Sequence, residues 1–242
     1  MATFVLVHGA AHGAWCWVKL VPELEALGHK AVTLDLPALG EDKTPIEDVT
    51  YEMNVDRVAG VIGLQAEPVV LVGHSMGGVT VTGTAERVPD RIRLLIYLTA
   101  FLPRDGESIN SLAASPLWIP ETGARAITRS ADGLSVSVTP EGARERFYSD
   151  CTEEDIAYSL PRLRPQPFVI RDTPMRITAE RFGRVPRAYI HCTEDRSIGL
   201  AVQREMVARS PCRAVASLPT GHSPFLVAPK ELARILSELA AG

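Results

Sequence analysis

Cysteine is scarce in this chain, and what there is lies scattered. Cys16, Cys151, Cys192 and Cys212 are the only four in 242 residues, and no C-x-x-C pair occurs. That spacing excludes the common zinc motifs and a dense disulfide framework, so reduced, partly buried thiols are expected. No run approaches the roughly 20 apolar residues of a membrane-spanning helix. The opening residues 1–7 are apolar but lack the basic flank and cleavage pattern of an export signal, so they read as a first strand and the expected compartment is the cytoplasm. Positive charge is not in excess either. The net charge is −4 with no basic stripe, which argues against nucleic acid or an anionic membrane as partner. Internal repeats and low-complexity linkers are also absent.

What is present is ordinary in amount and specific in order. Apolar residues make up 46% and charged residues 22%, as in a globular domain. At this length one α/β domain is expected, burying roughly 70% of its unfolded surface with no need of a metal or disulfide staple.

The chain is organised around residues 68–78, PVVLVGHSMGG. The β-branched run before Gly73 reads as a buried parallel strand, and 79–87 reads as a helix. Strand, G-x-S-x-G and helix together are the context of a nucleophile elbow, a strained turn that lifts Ser75 above the sheet edge. The backbone N–H of Met76 then starts a helix and can point at an oxyanion.

Around this stretch the chain alternates. Strands are expected at 4–7, 30–36, 68–74, 91–98, 187–192 and 213–218, and helices at 15–27, 51–64, 79–87, 198–209 and 230–240. Such alternation implies a mostly parallel sheet with right-handed crossovers and a site at the strands' carboxyl ends. From 103 to 178 the pattern breaks into a stretch rich in Pro, Ser and charge, with helical pieces at 141–149 and 153–160. We read 1–102 and 179–242 as the core and 103–178 as an inserted lid, or cap.

A serine hydroxyl needs a base to become a nucleophile, and in folds built on such an elbow the partners follow in the order serine, acid, histidine. Two histidines follow Ser75. His191 lies inside a strand and reads as structural, whereas His222 follows the last strand in a glycine-bearing loop and reads as the general base. Asp195, at the end of strand 187–192, is the expected acid. Glu194 and Asp105 are weaker candidates, and Asp195 could instead cap the helix from 198. The loop His8-Gly9-Ala10 after the first strand offers the N–H of Ala10 as a second oxyanion donor. His8, His12 and His74 read as structural, and Trp15 and Trp17 as core. Leu112, Leu117, Trp118, Ile119 and Phe147 of the lid are expected to line an apolar substrate pocket.

Taken together, residues 4–10 with 12–17, Gly28-His29-Lys30, Leu34-Asp35-Leu36, the elbow, Glu180-Arg181-Phe182-Gly183 and Cys192-Thr193-Glu194-Asp195 resemble the α/β-hydrolase superfamily. More narrowly they are similar to its group of plant methyl esterases and hydroxynitrile lyases. The resemblance runs almost end to end and is poor in the lid. It implies an α/β-hydrolase fold, Ser75, Asp195 and His222 as a triad, Ala10 and Met76 as oxyanion donors, and no cofactor or metal. The group's lyases carry threonine where Gly9 stands and lysine directly after the histidine, where this chain has Ser223. With no cation there to receive cyanide, the expected activity is hydrolysis of a small carboxylic ester, aryl and methyl esters among the candidates, with Gly9 and Trp118 facing substrate. A hydroxynitrile lyase and a weakly catalytic small-molecule receptor are the alternatives. A homodimer is an assembly open to such a chain.

Overall fold

The computed structural model describes residues 1–117 and 126–242. Its main sheet has six parallel strands, lying side by side in the order 30–33, 3–7, 69–74, 92–98, 187–192 and 214–218. The first half supplies β1 (Thr3–Val7), α1 (Leu20–Ala26), β2 (Lys30–Thr33), α2 (Tyr51–Gly63), β3 (Val69–His74), α3 (Gly77–Arg87) and β4 (Ile92–Leu98). Every residue of β3 is buried, as expected for a strand covered on both faces.

Between the halves run α4 (Ile109–Ala113), β5 (Ile127–Arg129), β6 (Ser135–Val138), α5 (Pro140–Arg146), α6 (Glu153–Ser159), β7 (Gln166–Pro167) and α7 (Val169–Asp172). β5, β6 and β7 form a small antiparallel sheet. The second half adds β8 (Arg187–Cys192), α8 (Leu200–Arg209), β9 (Ala214–Leu218), α9 (Pro224–Val227) and α10 (Pro229–Ala241).

Two apolar clusters fill the two sides of the main sheet. On one, Val5, Leu71, Leu95 and Tyr189 meet Val55 and Val58 of α2 and Val79 of α3. On the other, Phe4, Val70, Ile96 and Ile190 meet Leu24 of α1 and Leu232 and Leu236 of α10. Side chains alternate along each strand, so both faces take their share.

The single helix expected over 15–27 is instead a 3₁₀ turn, Ala14–Trp17, followed by α1. Pro22 explains the break. It has no N–H to give the carbonyl of Val18, and its ring would collide with that carbonyl in a continuous helix, whereas the first turn of a new helix accepts it. The second strand stops at Thr33 rather than at 36. The amide of Leu36 goes to the ring of His8 (3.2 Å), outside any strand ladder. Trp17 is fully buried as expected, but Trp15 is only half-buried and stacks on His12, with ring centroids 5.2 Å apart.

Candidate active site

Ser75 sits between β3 and α3 with φ of 52°, the left-handed conformation that strains any residue with a side chain. The neighbouring strand holds it there. The amide of Ser75 donates to the carbonyl of Leu98 (3.3 Å), and the amide of Phe101 donates to the carbonyl of Ser75 (3.1 Å). Nε2 of His222 lies 2.9 Å from the Ser75 hydroxyl, and Nδ1 of His222 lies 2.7 Å from Oδ2 of Asp195. Carboxylate oxygens only accept, so Nδ1 carries the ring proton and Nε2 is free to take the proton of Ser75. All three side chains are buried. Three residues far apart in sequence are thus strung into one hydrogen-bonded line.

Asp195 divides its work between its oxygens. Oδ1 accepts the amides of Ser197 (2.6 Å) and Ile198 (2.9 Å) in the turn before α8, whose N-cap is Gly199, so Asp195 orders that turn and does not cap the helix, while Oδ2 faces His222 and the hydroxyl of Thr99. Thr99 sits just beyond β4 with φ of 38°, and no sequence pattern marks it. Glu194 is exposed, and Asp105 accepts the amide of Ile177 (3.0 Å) at the surface, so neither enters the site.

The loop after β1 is gripped residue by residue. Nδ1 of His8 donates to the carbonyl of Gly9 (2.8 Å), and Nδ1 of His12 donates to the carbonyl of Ala10 (2.7 Å). Each ring's other nitrogen is therefore an acceptor, for the amide of Leu36 in one case and for the hydroxyl of Tyr148 (2.9 Å) in the other. Burial lowers the proton affinity of both rings, to a pKa of about 3 for His12. Ala11, with φ of 62°, gives its amide to Oε1 of Gln166 (3.0 Å) and takes the amide of Arg164 on its carbonyl (2.9 Å). The loop is thereby fixed with Ala10 at the wall of the cavity that holds Ser75 and Met76. Gln166 is a buried residue with no sequence signature.

That cavity encloses about 110 Å³. Phe101, Ile127, Val136, Val138 and Phe147 make it apolar, and Arg146 and Arg171 add cationic groups to its wall. Of the described lid residues expected to line it, only Phe147 does so. Leu112 is in the core, Leu117 is about half exposed, and Trp118 and Ile119 lie outside the described residues. Gly9 is not on the cavity wall but behind Ser75, where a Cβ would fall 2.8 Å from the Cβ of Ser75. His74 stands behind His222, its Nε2–H donating to the carbonyl of His222 (2.8 Å). Burial, with the neighbouring His222 second, holds His74 neutral. His191 is tied to Gln203 (3.2 Å), away from the serine.

The sequence pattern of the Alpha/beta hydrolase family matches residues 4–235. The chain belongs to this family. Among its curated relatives, Methylesterase 2 of Arabidopsis thaliana is 38% identical, over 98% of this α/β hydrolase and 95% of that protein. Salicylic acid-binding protein 2 of Nicotiana tabacum is 34% identical, over 98% and 96%. Of solved structures, the pyrethroid hydrolase from Sphingobium faniae superposes with a TM-score of 0.85 at 28% identity, covering 100% of this chain and 98% of the other. The resemblance to methyl esterases read from the motifs is thus matched by relatives that align over 98% of this α/β hydrolase.

Proposed function

We infer that Ser75 carries the acyl group in an ester hydrolysis. The chain is a carboxylesterase-type hydrolase, like its methylesterase relatives, and the continuous hydrogen-bonded line Ser75–His222–Asp195 is the observation that carries the residue assignment. Ser75 attacks the ester carbonyl while Nε2 of His222 takes its proton and Asp195, held by Thr99 and two amides, keeps the ring in the required tautomer. The amides of Ala10 and Met76 receive the developing oxyanion, each such donor being worth about 3 kcal/mol. His222 then protonates the departing alcohol. Water activated by the same ring releases the acid, and no step calls for a metal or cofactor.

Residues 103–178 act as the cap over this site, and the apolar wall they supply suits a small acyl or aryl ester. The lyase alternative is disfavoured on two grounds. A threonine at residue 9 would collide with Ser75 and His74, and Ser223 supplies no cation. Salicylic acid-binding protein 2 binds salicylic acid by its name; an aryl acid here would be a product of turnover, held in the same cavity. Four unpaired thiols suit the reducing cytoplasm, where we place the protein. Among the described residues no helix is long and apolar enough to cross a membrane. Light scattering tests the homodimer.

The deciding experiment is Ser75→Ala. Turnover of p-nitrophenyl acetate should vanish with circular dichroism unchanged, and turnover at the wild-type rate would overturn the assignment.

A further inference from the structure

Residues 147–150, between α5 and α6, touch the site three times. The ring of Phe147 stacks on that of His222, with centroids 5.5 Å apart and planes at 26°. The hydroxyl of Tyr148 donates to His12. Oδ2 of Asp150 accepts the amide of Gly221, at 2.6 Å, immediately before His222. The third contact is the unexpected one. Oδ1 of Asp150 is buried and has no hydrogen-bond partner among the described residues, and an unpaired buried carboxylate oxygen is costly. If this side chain only tied down a turn, a neutral acceptor would do so without that cost. The approach is close: a Cβ on residue 221 would lie 2.4 Å from Oδ1, so any larger residue there would push the carboxylate aside.

The main chain of His222 is thus held from both sides. Asp150 grips the amide before it, and Nε2–H of His74 grips its carbonyl. His74 belongs to the core and Asp150 to the 103–178 segment, so the base is fixed between the two parts of the chain. We propose that Asp150 is a positioning residue for His222, fixing the ring from the cap and favouring, by its negative charge, the imidazolium that forms during acyl transfer. This rests on the ester-hydrolase reading of Ser75 and His222. The electrostatics follow from placement. A carboxylate bonded to the adjacent peptide, partly shielded from water, acts on the ring more strongly than a surface charge at the same distance. The titratable groups facing Asp150 and the ring are Cys151, Cys192, His12, His74 and Asp195. None of the five is a cation in the resting site; the nearby cations are Arg146 and Arg171 on the cavity wall, which the comparison of Asp150→Asn with the wild type holds constant.

The test compares Asp150→Ala and Asp150→Asn with the wild type, using p-nitrophenyl acetate from pH 5 to 9, with Ser75→Ala alongside. Asp150→Ala should lower kcat about tenfold with KM within about twofold, the pattern of a lost transition-state interaction. Asp150→Asn retains an oxygen for the amide of Gly221 and should recover most of kcat. Having lost the charge, it should still shift the acid limb of kcat/KM by about 0.5 pH unit to lower pH, because protonating the ring becomes less favourable. Wild-type kcat in Asp150→Ala, or an unshifted limb in Asp150→Asn, overturns the proposal, even if melting temperature falls. Should the alanine variant not fold, the limb of the asparagine variant decides alone. Retained activity in Ser75→Ala would instead bring down the underlying reading of the site.

Discussion

A Cβ placed on Gly9 would lie 2.8 Å from the Cβ of Ser75 and 2.9 Å from Nδ1 of His74. Neither neighbour is a flexible side-chain end; one is on the strained turn itself and the other is locked by its bond to His222. Gly9→Ala should therefore cost about 1–3 kcal/mol in urea denaturation. It should also lower kcat/KM more than tenfold by displacing the serine. Gly9→Thr should do worse and should release no cyanide from mandelonitrile. A Gly9→Ala protein with wild-type turnover would contradict this packing.

Acid should weaken the fold through its buried histidines. His8, His12 and His74 are all lowered by burial, so the unfolded chain binds protons that the folded one refuses. Stability from these groups is complete above the unfolded value near 6.5 and falls with pH below it, down to the folded value, about 3 for His12. At pH 5 His12 alone should account for a loss of about 2 kcal/mol. Guanidinium unfolding at pH 7 and pH 5 measures it, and equal stability at both would refute the neutral-ring assignment.

Removing the hydroxyl of Thr99 takes one donor from Oδ2 of Asp195. A hydrogen bond to a charged group is worth about 1.5–3 kcal/mol. Thr99→Ala should thus cut kcat about tenfold, while Thr99→Ser, which keeps the donor, should stay within about threefold. Steady-state kinetics on the two variants separates lost donor from lost methyl.

Gln166 satisfies the amide of Ala11. Gln166→Ala strands that amide, at a cost of about 1–3 kcal/mol. The loop bearing Ala10 should loosen, so kcat should fall more than KM rises. Gln166→Glu, which keeps the acceptor, should be milder. Identical kcat in all three proteins would remove Gln166 from any part in shaping the oxyanion site.

Local chemistry explains what could be read in advance. The apolar run into G-x-S-x-G marks Ser75, because a buried strand and a strained turn each demand their residues. Asp195 and His222 were legible because alternation places both just after strands, where a parallel sheet collects its functional groups. Thr99, Gln166 and Asp150 left no such trace: each acts through a contact made across 71 to 155 positions of chain, two of the three through a partner's backbone. The strands of the small sheet were missed because two to four residues are too few for a period to show. Leu112 and Leu117 were misassigned to the cavity wall for a related reason, since which apolar side of a short segment faces inward depends on what it packs against.

The seam between β4 and β8 has a use of its own. Residues 95–98 pair with 187–190 there, and nothing covalent joins the two strands except the long detour between them. Ser75 lies on one side of that seam, Asp195 and His222 on the other. Cutting the detour would give two silent fragments, one with four strands and the serine, the other with two strands, the acid and the histidine. Colour from a chromogenic ester would then report their reunion, making the molecule a natural starting point for a split reporter.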